Sequence, residues 1–319
     1  MKRPRPLSIG DTVALVAPSS PLPDGNIERA IDSIRFLGLE PVVFPSCMMS
    51  HGYLAGKDAD RARDINEAFA DERMKGIFCL RGGFGATRIL NMLDLETIQK
   101  NPKVFAGYSD ITALHLAFTQ KCGFITFHAP MPNTRYREMD AFTLKSLKDN
   151  LFSDQAPGEV LNPPNEIIET IVPGICEGAI IGGNLSLLLG TLGSPYEVDT
   201  QDKILFIEEV SEMPYRLDRA LTALALAGKF ENCAGIILGT FAECEAPSPA
   251  ASSPNSVTSE ESLTLRQIFD EVVKPFNKPT ILNFRAGHVY PQATIPMGAP
   301  LRLDATNGRL VFLDMPTAP

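Results

Sequence analysis

Over the first 130 residues, short apolar runs alternate with stretches whose apolar positions recur at helical spacing. The run Thr12-Val13-Ala14-Leu15-Val16-Ala17 ends at Pro18-Ser19-Ser20-Pro21. Residues 26–37 follow with Ile27, Ala30, Ile31, Ile34 and Leu37 along one helical stripe, so the pattern predicts strand, loop, helix. Pro41-Val42-Val43-Phe44 reads as a second strand, 58–70 as an amphipathic helix, and Gly76-Ile77-Phe78-Cys79-Leu80 as a third strand. A helix over 90–99, a strand at Val104-Phe105-Ala106-Gly107, a helix over 110–122 and a strand at Phe124-Ile125-Thr126-Phe127 complete the series. Strands alternating with helices imply an α/β fold with a mostly parallel sheet covered by helices, and residues 1–152 form this first domain.

Residues 153–173 change character. Pro157, Pro163, Pro164 and Pro173 stand among Asn and Glu residues, a composition expected of an interdomain linker. Residues 174–319 then read as a second, mixed α/β domain. Its strand candidates are Ile180-Ile181, Ile204-Leu205-Phe206-Ile207, Gly235-Ile236-Ile237-Leu238-Gly239 and Leu310-Val311-Phe312-Leu313, with helical spacing over 184–192 and 215–227. The stretch 246–256 is rich in Pro, Ser and Ala, has no apolar periodicity, and reads as a mobile surface loop continuing toward Glu260-Glu261.

Composition narrows the functional classes. With 319 residues, 44% of them hydrophobic, the chain is large enough for a substantial core. A net charge of −9 and the lack of a Lys/Arg run argue against a nucleic-acid partner and leave a small molecule or peptide as the expected substrate. No window of about 18 apolar residues is present, so no membrane span is expected. Met1-Lys2-Arg3-Pro4-Arg5-Pro6 is not followed by an apolar core, so no signal peptide is readable and a cytoplasmic protein is expected. The six cysteines are scattered without C-x-x-C pairs or histidines at ligand spacing, which predicts reduced thiols and neither zinc nor a disulfide framework.

Candidate chemistry collects at strand ends. Ser109 stands between the strand ending at Gly107-Tyr108 and the helix beginning at Asp110-Ile111-Thr112. Such a turn exposes a hydroxyl above a sheet and sets it against unpaired helical N–H groups. The surroundings are not G-x-S-x-G, and a plain Ser-Asp helix cap is the competing reading. Arg81-Gly82-Gly83-Phe84-Gly85 follows another strand and lets backbone amides approach a ligand closely, without the lysine that a phosphate-binding loop would add. Glu208 and Glu209 end an apolar strand, where alternation lets only one of them face a given cleft. His288 lies in the turn-rich Gly287-His288-Val289-Tyr290-Pro291-Gln292, where an imidazole can move a proton, with a structural loop histidine as the competing reading. His115 reads as a packed helix residue, and His128, beside Ala129-Pro130, as a possible site-lining one.

Together, Gly107-Tyr108-Ser109-Asp110-Ile111-Thr112, Arg81-Gly82-Gly83-Phe84-Gly85, Gly182-Gly183-Asn184-Leu185-Ser186, Phe206-Ile207-Glu208-Glu209-Val210 with Tyr215-Arg216-Leu217-Asp218-Arg219, and Gly287-His288 with Thr294-Ile295-Pro296-Met297-Gly298 resemble the muramoyl-tetrapeptide LD-carboxypeptidase family, which also holds the microcin C self-immunity peptidases. The resemblance implies a Ser-Glu-His triad at Ser109, Glu208 and His288, with Glu209 as the alternative acid. It implies an oxyanion hole of backbone amides at Asp110 and at the glycine turn, Gly83 being preferred to Gly82. The implied reaction is removal of terminal D-alanine from cytoplasmic murein tetrapeptide, by a homodimer without cofactor. Reading the free carboxylate requires a cation, for which Arg81 is the candidate. Some immunity members stack a tryptophan on a nucleotide base, and this chain has no Trp. The competing class is a non-catalytic ligand-binding or amidotransferase-like module, expected if the three residues do not converge on one cleft.

Overall fold

The computed structural model describes residues 1–153, 155–247 and 258–318. Its strands in chain order are β1 (Thr12–Val16), β2 (Glu40–Val43), β3 (Gly76–Cys79), β4 (Val104–Gly107), β5 (Thr126–His128), β6 (Gly158–Val160), β7 (Glu169–Val172), β8 (Ile175–Asn184), β9 (Ile204–Val210), β10 (Gly235–Ala242), β11 (Thr280–Leu282), β12 (Ile295–Met297), β13 (Pro300–Asp304) and β14 (Arg309–Phe312). They form two sheets, a six-stranded one in the order β12-β5-β4-β3-β1-β2 and an eight-stranded one in the order β6-β14-β13-β8-β9-β10-β11-β7. The fold is thus two-domain α/β with helix-flanked sheets.

In the first sheet β1 to β5 run parallel. β3 and β4 are buried at every residue, as a strand covered on both faces requires. The helix Asp58–Ala70 turns Ala62, Ile65, Ala68 and Phe69 inward, the i, i+3, i+7 stripe that its sequence carries. Because β3 lies between β1 and β4, the loop after β1, the glycine turn after β3 and the Ser109 turn after β4 emerge side by side at the carboxyl ends of the strands, where ligands bind in open α/β sheets.

The second sheet is parallel from β8 through β11 and antiparallel outside that block. Glu208 lies on β9 in register with Asn184 of β8, and the chain beyond β11 carries His288.

Several expectations differ from what is observed. The proline-rich stretch 153–173 is not a bare connection: it contributes β6 and β7, which pair with β14 and β11. Short edge strands tolerate proline next to them, so composition concealed the pairing. The second half of the chain also returns to the first sheet, because β12 pairs antiparallel with β5. The helix expected over 90–99 is split into a 3-10 turn, Leu90–Met92, and a helix, Leu95–Lys100, which Asp94 caps by accepting from the Thr97 N–H. The helix expected over 110–122 passes from a 3-10 turn through the α-helix Thr112–Ala117 to a π turn, Phe118–Cys122. Most of the loop expected at 246–256 falls outside the described residues.

Candidate active site

Ser109 has φ +68°, a left-handed conformation that costs an L-residue about 1–2 kcal/mol and persists only where neighbours enforce it. Those neighbours are explicit. The buried Asp110 carboxylate accepts from Ser19 Oγ at 2.6 Å and from the Ala86 N–H at 2.8 Å, so one side chain ties the serine turn to the loop after β1 and to the helix after the glycine turn. Burial pushes this carboxyl above its ordinary value, against the pull of those donors. The fully buried Arg61 donates to the carbonyls of Pro18 and Gly85 and braces the same two segments.

The glycine turn lies directly on the serine. A Cβ at Gly82 would stand 2.8 Å from Ser109 Cβ and 2.9 Å from its Oγ. The Gly82 carbonyl accepts from the Ser20 N–H at 3.3 Å, so across the same trans peptide the Gly83 N–H points the opposite way. Among the described residues, neither this N–H nor that of Asp110 has an acceptor. Arg81 donates one guanidinium nitrogen to the Pro21 carbonyl at 3.0 Å and makes no ion pair among the described residues.

Residues from the second sheet meet this turn. His288 Nδ1 is 2.7 Å from Glu208 Oε2, and its Nε2 is 3.0 Å from Ser109 Oγ. An ionised carboxylate can only accept, so Nδ1 carries the proton and the Nε2 lone pair faces the hydroxyl. Gly287 allows the approach, since a Cβ there would lie 2.6 Å from Glu208 Oε2. Burial acts to lower the His288 pKa, but the bond and charge of Glu208 outweigh it and raise it above the ordinary value. Burial likewise acts to raise Glu208, and its imidazole neighbours hold it well below the usual carboxylate range instead.

Spacing alone left Glu208 and Glu209 unresolved, and alternation along β9 separates them. Glu209 faces away from His288 and accepts from Asn184 Nδ2 at 2.7 Å, the Ser186 N–H at 2.8 Å and Ser186 Oγ at 2.6 Å, closing the start of the helix Leu185–Gly190. The Asn184 N–H in turn donates to Thr112 Oγ1 at 3.0 Å, which joins β8 to the helix behind Ser109. Two side chains named in the sequence reading only as neighbours of Ser109 also shape the site. Tyr108 packs its ring 4.9 Å from that of His288, and the Asp110 carboxylate anchors the turn; an acid directly after a candidate nucleophile was the available signal.

The remaining histidines divide. His115 is buried between the Gly107 carbonyl and Thr126 Oγ1, each at 2.8 Å, and burial depresses it to about 3, so it is a neutral packing residue. His128 is fully buried beside Glu208, its Nε2 3.9 Å from Glu208 Oε1. All six cysteines are unpaired, and burial raises their thiols, that of Cys244 to about 11. No cluster of three or more ligating side chains able to hold a metal occurs among the described residues, and no helix among them is long and apolar enough to cross a membrane. The arrangement at Ser109 offers a hydroxyl, a base facing it, an acid behind the base and two free amides beside it, the parts of an acyl-transfer site.

Comparison with known proteins shows the family. The LD-carboxypeptidase N-terminal domain model matches residues 13–129, and the LD-carboxypeptidase C-terminal domain model matches residues 177–303. The chain is 39% identical over 300 residues to a "probable murein peptide carboxypeptidase" of Bacillus subtilis, covering 93% of this chain and 90% of that protein. Its fold superimposes on a muramoyltetrapeptide carboxypeptidase from Oxalobacter formigenes with a TM-score of 0.79, 27% identity and coverage of 94% and 97%. It also superimposes on MccF in complex with glutamyl sulfamoyl guanosine, with a TM-score of 0.84, 25% identity and full coverage of both chains.

Proposed function

Because the chain belongs to the LD-carboxypeptidase family, whose members include murein peptide carboxypeptidases, we propose that it is a serine peptidase that removes terminal D-alanine from murein tetrapeptide. The observation that carries this reading is the continuous contact Ser109 Oγ to His288 Nε2 at 3.0 Å and His288 Nδ1 to Glu208 Oε2 at 2.7 Å. Ser109 attacks the carbonyl of the L,D-peptide bond while His288 takes its proton. The tetrahedral oxyanion accepts from the amides of Gly83 and Asp110. Imidazolium at His288, stabilised by Glu208, then protonates the departing D-alanine amine, and a water activated by the same imidazole hydrolyses the acyl-enzyme. Arg81, free of acidic partners among the described residues, pairs with the substrate's terminal carboxylate. The same proposal puts the reaction in cytoplasmic cell-wall recycling and takes a homodimer as the active form.

The likeness to MccF bound to glutamyl sulfamoyl guanosine favours a second substrate class, a peptidyl-nucleotide conjugate cleaved by the same residues. Tyr53 and Phe84, both exposed and in edge-to-face contact beside the glycine turn, offer the aromatic surface that a base would need.

Incubation of murein tetrapeptide with the wild-type protein and with Ser109→Ala, with released D-alanine read by mass spectrometry and folding by circular dichroism, tests the proposal. Release by the wild type alone is expected, and Arg81→Ala should raise KM with kcat little changed. Release by neither protein, with cleavage of a peptidyl-nucleotide conjugate by the wild type, would replace the substrate. Release by both would remove Ser109 as nucleophile.

A further inference from the structure

Glu208 uses only one of its two oxygens on His288. Its Oε1 is buried and has no hydrogen-bond partner among the described residues, and neither ring nitrogen of the equally buried His128 has one. A buried carboxylate oxygen left without a donor is costly. The two unsatisfied groups face each other, with His128 Nε2 3.9 Å from Glu208 Oε1, so a displacement of about 1 Å brings them within hydrogen-bond distance.

The surroundings hold His128 for this contact. It ends β5 in register with Gly107 of β4 and Ile295 of β12. Its ring packs edge to face on Tyr108 at 5.6 Å and on Phe206 at 5.3 Å. Phe206 precedes Glu208 by two residues on β9, so it shares that face of the strand. The titratable or charged groups around Glu208 are His288 from the loop after β11, His128 from β5, Tyr108 from the end of β4, Glu209 beside it on β9, His115 from the helix Thr112–Ala117, and the Cys244 thiol just beyond β10, which burial keeps protonated. His115 is committed to the Gly107 carbonyl and Thr126, and Glu209 to Asn184 and Ser186. Of these groups, His128 brings an uncommitted ring nitrogen to 3.9 Å from Oε1.

We propose that His128 is a positioning residue of the peptidase, which clamps Glu208 from the side opposite His288 by donating its Nε2 proton to Oε1, so that the acid stays ionised and aimed at the base. This inference rests on the triad reading above. His128 touches neither Ser109 nor the substrate and acts through Glu208 alone. Without its donor, the basicity of the carboxylate increases and is directed at the remaining partner. The Glu208-His288 pair then binds its shared proton more tightly, whichever residue holds it.

The test compares wild type, His128→Gln, His128→Leu and Ser109→Ala by two readouts. Nitrogen NMR of the His288 ring, which needs no substrate, follows its titration; pH profiles of kcat and KM on the tetrapeptide follow its use. For His128→Leu we expect the His288 midpoint and the acid limb of activity to move up by about one pH unit, kcat to fall about tenfold and KM to stay put. His128→Gln, whose amide nitrogen can replace Nε2, should stay near wild type. An unmoved His288 midpoint in His128→Leu overturns the inference, as does an equal loss in His128→Gln. If the leucine variant does not fold, the glutamine variant decides: a midpoint within a few tenths of wild type supports the clamp, and a shift of a full unit refutes it. Failure of the triad reading looks different, since Ser109→Ala would then hydrolyse the peptide as fast as wild type.

Discussion

Adding one methyl group at Gly287 should disable the site while leaving the fold standing. The Cβ of Gly287→Ala would lie 2.6 Å from Glu208 Oε2 and 2.9 Å from its Cβ and Cγ. Ordinary carbon contacts need about 3.5–4.0 Å, so the carboxylate or the loop has to move by roughly 1 Å. The Glu208 to His288 bond, 2.7 Å long, would then exceed hydrogen-bond length. Its loss costs about 1.5–3 kcal/mol for a bond to a charged group. The φ of +111° at this position, rarely adopted by an alanine, adds about 1–3 kcal/mol of strain. At about 2 °C per kcal/mol for a chain of this size, Tm should fall by roughly 5–12 °C, leaving the protein folded at 25 °C. Loss of the orienting acid lowers kcat by about 10^2 to 10^4, with KM little changed. D-alanine release measured alongside a thermal melt reads both quantities. In a Glu208→Ala background the same glycine change should cost almost nothing further in kcat, because the carboxylate whose bond to His288 it disturbs is already absent. A Gly287→Ala protein with wild-type kcat, or one whose loss is undiminished in that background, would refute this account of the contact.

Two further outcomes follow from the paired acids and from the imidazole. Glu209→Gln should lower stability by about 1–3 kcal/mol in urea denaturation, because it weakens three contacts at the start of the helix Leu185–Gly190. It should leave kcat within a few fold, whereas Glu208→Gln should cost up to about 10^4 in kcat with a near-normal melt. On the proposed mechanism activity needs neutral His288, whose folded pKa is raised above the ordinary 6.5, so kcat/KM should climb with pH along a limb centred above 6.5. The same shifts set opposite stability terms. The raised His288 stabilises the fold at pH below its unfolded value and loses that contribution as pH rises through its folded one. The lowered Glu208 stabilises it above its own unfolded value and loses that as pH falls. An activity limb centred below 6.5 would contradict the Glu208 contact.

The legibility of this molecule follows the range of the forces involved. β3 and β4 were readable because buried parallel strands are apolar throughout, and the helix Asp58–Ala70 because one face carries its core residues. Pairings made at long sequence separation left no such local mark: β12 joining β5 across more than 160 residues, or β7 joining β11, are choices of partner that a three- or four-residue segment cannot encode by itself. The site divides in the same way. Ser109, His288 and the acidic pair stood out as chemistry at the ends of strands, and only the alternation of β9 against its neighbours separates an acid facing His288 from one that caps a helix. The glycines are the sharpest case. In the sequence, Gly82, Gly183 and Gly287 are positions that permit close approach, with nothing to say what approaches. In the fold, the space where a Cβ would stand is occupied by Ser109, Thr112 and Glu208 respectively, each from a different segment of the chain. Two of these contacts join the first sheet's turns to each other and to the second sheet, and the third brings the acid to its base. The motifs on which the family resemblance rests are therefore the places where distant segments must touch, and a substitution there should perturb geometry between elements before it perturbs either element alone.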